Sequence, residues 1–248
     1  MIVPMLFAVY LCLCISMRLT ARDTSFAKED CTLYYIVNAD GMKGLGHSIL
    51  LLVDEEGCGT VFSFNGMQRS LGECLLGQSG IGKMSIGTMS VEETEAFLQT
   101  GDLNLDADQL TDNYDIVLYR PITAEEYHII EEQTAPYIAA EEQFAALYEK
   151  WAMEEDAGQK AAYKRDLEQM GQDESLPLYQ IYTNNCDNVA RIFVSSVDSD
   201  MRDYMHHVWR MTPNGNLKAF GRKAQNWGVM YLGEQSLIEK ILMFLIIF

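Results

Sequence analysis

Cationic side chains are scarce in this chain of 248 residues: 18 Lys plus Arg stand against 36 Asp plus Glu, giving a formal charge of −18. No Lys/Arg cluster occurs at any point. Nucleic-acid binding draws on cations that release counterions from phosphates, so no nucleic-acid partner is expected. Internal repeats are lacking too, as is any collagen-like or heptad period. Of the six cysteines, Cys12 and Cys14 fall in an N-terminal apolar run, leaving Cys31, Cys58, Cys74 and Cys186 scattered through the body. They form no CxxC or Cys/His ligand spacing, so neither a disulfide framework, a zinc site nor any cofactor is implied. What is present is the composition of a globular protein, 48% hydrophobic and 22% charged, with enough chain for one large or two small domains.

Both ends are apolar. Ile2 to Met17 is an uncharged run that stops at Arg18, the length of a signal-peptide core and slightly short for a helix crossing ~30 Å of hydrocarbon. The positive flank that usually precedes such a core is missing. A cleavable signal with a site near Ala21, an uncleaved anchor and a buried N-terminal helix all fit residues 1–25. Ile241 to Phe248, in a C-terminal segment 237–248, is too short to span a bilayer; it reads as an interfacial anchor, a docked last element or the start of a longer segment.

Between them the first half is β-rich. Thr32 to Val37 has strand composition and ends in turn residues. His47 to Val53 is a continuous apolar run of the kind buried on both sheet faces, and Thr60 to Asn65 returns from the DEEGCG turn as its hairpin partner. Residues 66–89, rich in Gly, Ser and Met, predict a mobile loop region. Ser90 with Glu93, and Thr123 with Glu126, are capping-box patterns that start helices at about 91 and 124. Tyr114 to Arg120 reads as another strand. From about Thr123 to 172 the chain is helical in composition, with a bend foreseen at Pro136, and the charge is heaviest from Glu141 to Met170, most simply a solvated face. After Asn184-Asn185-Cys186-Asp187 comes an amphipathic helix with Val189, Ile192, Phe193 and Val197 on one side.

This places Cys186 in the first turn of a helix. The partial positive charge of unsatisfied N–H groups there favours a thiolate. A thiolate needs an imidazole, and the chain has four histidines. His128 lies in a surface helix, and His206 and His207 in a charged amphipathic stretch. His47 differs, because it opens a strand after the flexible GMKGLG and can face a cleft. Counting across the hairpin sets paired residue numbers to sum near 112 to 114, which puts His47 opposite Asn65 to Met67. Asn65 is the expected orienting group, with Ser63 and Gln68 as substitutes. Gly80 to Lys83 lacks the full phosphate-loop spacing. Asp187 most simply stabilises the helix start, and would oppose thiolate formation if it pointed inward.

The stretches GLGHSILLLVDEEGCGTVFSFNG (Gly44 to Gly66) and YTNNCDNVARIFV (Tyr182 to Val194), in that order, resemble the circularly permuted papain-like superfamily, with TPNG (Thr212 to Gly215) adding to the likeness. That superfamily holds permuted relatives of the NlpC cell-wall peptidases, lecithin-retinol-acyltransferase-like enzymes and domains of bacterial Rhs-type secreted proteins. The resemblance implies an α+β fold over residues 30–235, with an antiparallel sheet packed against helices and a helical insertion at about 123–172. It makes Cys186 a nucleophile and His47 its base. The Cys186 backbone N–H becomes an oxyanion donor with help from Asn185 or Asn184, and Asn65 departs from relatives that use a second His or an acid. The function so implied is a cysteine-dependent hydrolase of an amide or ester, its substrate a peptide, cell-wall or acyl-lipid compound, acting outside the cytoplasm or at a membrane. The alternatives are an acyltransferase or lipase at a bilayer, and a non-catalytic membrane-associated binding module of the same fold.

Overall fold

The computed structural model describes residues 31–39, 41, 46–66, 80–105, 110–173, 175–180, 184–201, 213, 216–217 and 226–233. Both apolar ends, Gln68, His206, His207 and most of TPNG lie outside these residues. Among the described residues no helix is long and apolar enough to cross a membrane.

Strands β1 (Cys31–Asn38), β2 (His47–Val53) and β3 (Gly59–Gly66) form an antiparallel meander. The turn between β2 and β3 is closed by Asp54, whose carboxylate accepts from the N–H groups of Glu56 and Cys58, while Gly57 adopts φ 92°. Strands β4 (Gly80–Met89), β7 (Ile116–Ile122), β8 (Leu178–Tyr179) and β9 (Gly228–Tyr231) extend the meander to seven strands in the order β8-β4-β3-β2-β1-β7-β9. Each strand is antiparallel to its neighbours. A separate hairpin, β5 (Asp102–Leu105) with β6 (Leu110–Asn113), lies between the sheet's elements in sequence.

The strand β4 corrects an expectation, since its residues fall inside the predicted loop region. It pairs with β3 from Gly59↔Met89 to Gly66↔Gly82. Its glycines hid the strand in sequence, and at Gly82 the missing side chain is what lets it pack: a Cβ there would lie 2.1 Å from the Phe64 ring and 2.7 Å from the Pro177 carbonyl. The Gly80 to Lys83 stretch is thus strand, and Lys83 pairs with Glu141 at 3.7 Å.

Helices cover both faces of the sheet. Helix α1 (Val91–Thr100) begins with the foreseen capping box at Ser90 and stops at Gly101 (φ 81°). It buries Phe97 with Ile36, Ile49, Leu51, Val61, Tyr114 and Val117 on one face. Helix α2 (Ala124–Met153) runs through Pro136, and α3 (Ala157–Met170) follows it. The first part of α2 belongs to the core, burying Ile130, Tyr137 and Phe144, whereas α3 buries no residue. Helix α4 (Cys186–Val197) packs beside α2 on the other face, placing Val189, Ala190, Phe193 and Val194 against Leu50, Phe62 and Phe64. Ile192, expected on the buried side, is 43% exposed, because the helical period turns the 186–190–193–197 stripe inward instead.

Strands β1 and β2 are therefore buried on both faces: Leu33, Tyr35, Val37, Leu50 and Leu52 face α2 and α4, while Ile36, Ile49 and Leu51 face α1. This explains the unbroken apolar run of β2. The fold is mixed α+β, an antiparallel sheet packed against helices, as the sequence predicts.

Candidate active site

Cys186 is the first residue of α4, as its position after two asparagines predicts. Asn185 caps the helix, its side-chain oxygen accepting the Asn188 N–H at 2.9 Å. The Asn184 side chain is engaged elsewhere, donating to the Leu178 carbonyl at 2.6 Å. The Asn184 backbone closes a bridge with Gln180, and the Asn185 side chain fixes the first turn.

That turn rests on the start of β2. The Cys186 sulfur faces Ser48, receiving its backbone N–H as well as that of Asp187. The Ser48 hydroxyl is close enough to influence both Cys186 and Tyr35, yet makes no hydrogen bond of good geometry among the described residues. A small cavity of about 10 Å³ beside the sulfur is lined by Ser48, Leu50, Phe62, Phe64, Met84 and Phe193 among others, room for about one water. Cys186 itself is only 6% exposed.

Burial reverses one sequence expectation. It pushes the Cys186 thiol up to about 11, with the Asp187 carboxylate adding to the rise against the pull of the Ser48 and Asp187 donors. A helix start favours an anion by only ~0.3–1 kcal/mol near a surface, which loses to the cost of enclosing a charge among apolar groups. Asp187 does point inward. It is 1% exposed and accepts from the Tyr35 hydroxyl and from Asn216 Nδ2. Burial raises its carboxyl to about 6, opposed by those two donors and by the charge of Arg191.

His47 sits next along the strand from Ser48. Successive strand side chains alternate, so His47 lies with Ile49 and Leu51 on the α1 face, and Ser48 with Leu50 on the α4 face. Its Nε2 is 3.1 Å from Ser63 Oγ, and Asn65 Nδ2 donates to the same hydroxyl at 2.9 Å. The ladder between β2 and β3 runs at a residue-number sum of 112, as in Leu50↔Phe62, so continuing it brings His47 opposite Asn65. Ser63, counted as a substitute, holds the imidazole directly. The Tyr114 ring lies 6.5 Å away, and burial lowers the imidazole to about 4 against the opposing charge of Asp112. At neutral pH the described arrangement therefore holds a thiol and a neutral imidazole, side by side along β2 but on its two faces.

Ser48, Tyr114 and Asn216 are parts of this site that the sequence does not single out, and Tyr35 reads there as strand core that can line the cleft. The alternation of β2 carries a signal for Ser48, and Asn216 directly follows the TPNG motif. Tyr35 and Tyr114 converge only through the sheet.

The two shifted groups have opposite consequences for stability. The folded pKa of Asp187 is raised, so its contribution is fully present below its unfolded value and is lost as pH rises through about 6. The folded pKa of His47 is depressed, so the unfolded chain binds the proton more tightly and stability rises over the window from about 4 upward. The two slopes oppose each other. In thermal unfolding between about pH 4 and 6, Asp187→Asn is expected to steepen the rise of Tm with pH, and His47→Gln to turn it towards a fall. Identical profiles for the two variants would contradict these environments.

Comparison with family models, curated proteins and solved structures gives no significant match.

Proposed function

We propose that the protein is a cysteine-dependent hydrolase of the permuted papain-like kind, with Cys186 as nucleophile and His47 as general base, acting on an amide or ester outside the cytoplasm or at a membrane. The observation that carries the reading is the docking of the α4 start onto the β2 start. It brings Cys186 against Ser48, the immediate neighbour of His47, from far away in sequence. The described form is then a resting state. Gly46, at φ 89°, directly precedes His47 and allows the imidazole to leave Ser63 and turn past the strand end to the sulfur.

In the catalytic form Nε2 takes the thiol proton as sulfur bonds to the substrate carbonyl carbon. The oxyanion is met by the Cys186 N–H, one of the N–H groups that the helix leaves without an intrahelical acceptor. Imidazolium passes its proton to the departing nitrogen or oxygen as that bond breaks, leaving a thioester. Water then attacks the thioester, giving a proton to the imidazole, and the acid leaves as the thiol is restored.

A second reading, a non-catalytic binding module, is favoured by the burial of Cys186 and by the bond between His47 and Ser63. Peptide-level mass spectrometry after treatment with a thiol-directed acyl probe separates the two. The hydrolase reading expects an acyl adduct on Cys186 that is lost in His47→Gln, whereas no adduct on Cys186, or equal labelling of Cys31 and Cys58, favours the binding module.

A further inference from the structure

Three segments distant in sequence converge on one carboxylate. Tyr35 of β1 donates to Oδ1 of Asp187, Asn216 donates to Oδ2, and Asp187 itself follows Cys186 in the first turn of α4. All three side chains are buried. The groups facing the carboxylate are Tyr35 from β1, Asn216 from the segment after Pro213, and Cys186 and Arg191 from its own helix, with Ser48 of β2 across the sulfur. An acid enclosed in this way is costly unless its oxygens are satisfied, and here a hydroxyl and an amide satisfy one oxygen each. A rotation of α4 about its axis would break both bonds at once, and the same rotation would carry the Cys186 sulfur away from the Ser48 N–H.

We propose that Asp187, gripped by Tyr35 and Asn216, is a positioning residue that fixes the first turn of α4, aims the Cys186 sulfur at the start of β2, and holds a negative charge beside it. The proposal rests on Cys186 as the reactive sulfur. It goes beyond that reading by assigning a buried triad to control it. The grip ties Asn216 to the nucleophile's helix, so anything that shifts Asn216 changes the reactivity of the thiol. Asn216 Oδ1 has no partner among the described residues, so an amide at position 187 can be accepted by a flipped Asn216.

The test is the rate of Cys186 alkylation by iodoacetamide as a function of pH, followed on the full chain by peptide mass spectrometry, with Tm measured in parallel. Asp187→Asn keeps the shape and removes the charge, and is expected to raise the rate at a fixed pH below the thiol midpoint about tenfold, a shift of about one pH unit. Tyr35→Phe removes a donor that screens the charge and, read at about pH 9 where the Asp187 carboxylate stays ionised although the lost bond raises its carboxyl further, is expected to lower the rate. Movement in opposite directions is a signature that loosening of the fold would not give. An unchanged or slower Asp187→Asn, or acceleration in both variants, overturns the proposal. If Asp187→Asn does not fold, Tyr35→Phe decides alone: a slower rate supports the proposal, and an unchanged or faster one overturns it. Alkylation requires no turnover, so failure of the hydrolase reading leaves this result interpretable.

Discussion

Replacing Cys186 by serine is expected to cut hydrolysis of an activated ester or amide by roughly 10³-fold or more, with the fold retained. The cavity beside the sulfur is small, and the Ser48 and Asp187 N–H groups that face Sγ also serve an Oγ, so the substitution leaves neither a large void nor an unsatisfied donor. What it removes is the proposed nucleophile. A serine hydroxyl is a far weaker acid than even this raised thiol, and a nearly neutral imidazole with its folded value near 4 cannot withdraw that proton effectively. Cys58→Ser is the control, because Cys58 lies beyond the far end of β2, where its N–H bonds to Asp54 in the turn. Equal loss in both variants would assign the effect to general damage by thiol replacement.

His47→Ala is expected to lower the acylation rate by about 10²- to 10⁴-fold, and to change its pH dependence as well as its size. Without the base, only the thiolate reacts. With the thiol titrating near 11, the residual rate climbs about tenfold per pH unit through the neutral range, whereas the wild-type rate is carried by the neutral thiol–imidazole pair and is flatter. A variant with the wild-type rate and slope would remove His47 from the reaction. A lower rate of unchanged slope would give His47 a supporting role through Ser63 and the β2–β3 ladder.

Local signals carried much of this fold. The double-faced burial of β2 was legible because seven consecutive residues from His47 to Val53 are all apolar after the first two. The capping boxes at Ser90 and Thr123 and the cap at Asn185 each set a helix start within the first turn. Strand β4 was not legible, since Gly80, Gly82 and Gly87 break the strand pattern, and the purpose of Gly82 appears only when Phe64 and the Pro177 carbonyl arrive from elsewhere. Strands β8 and β9 are short, and pair only once distant segments have been brought to the sheet edges.

The site divides in the same way. Hairpin counting brought His47 to the Ser63 and Asn65 end of β3, and helix-start residues put Cys186 at the first turn of α4. The ionisation of the thiol was misjudged because helix-end electrostatics is a local property, whereas burial and the inward turn of Asp187 belong to the packed whole. The two-residue period of β2 already separates His47 from Ser48 by face, and that separation is the feature any catalytic cycle here has to overcome. Helix α2 carries seven acids against Lys150 alone, whereas α3, with Lys160, Lys164 and Arg165 against Asp166 and Glu168, is slightly basic and buries no side chain.

The central claim is that His47 and Cys186 act on one another. The direct measurement is a crystal structure of the full chain trapped with a thiol-directed acyl probe. The account predicts a covalent adduct on Cys186 Sγ, with His47 Nε2 released from Ser63 and lying within ~4 Å of the sulfur. An unmodified sulfur, or an adduct with His47 still bonded to Ser63 on the α1 face of the sheet, would contradict it.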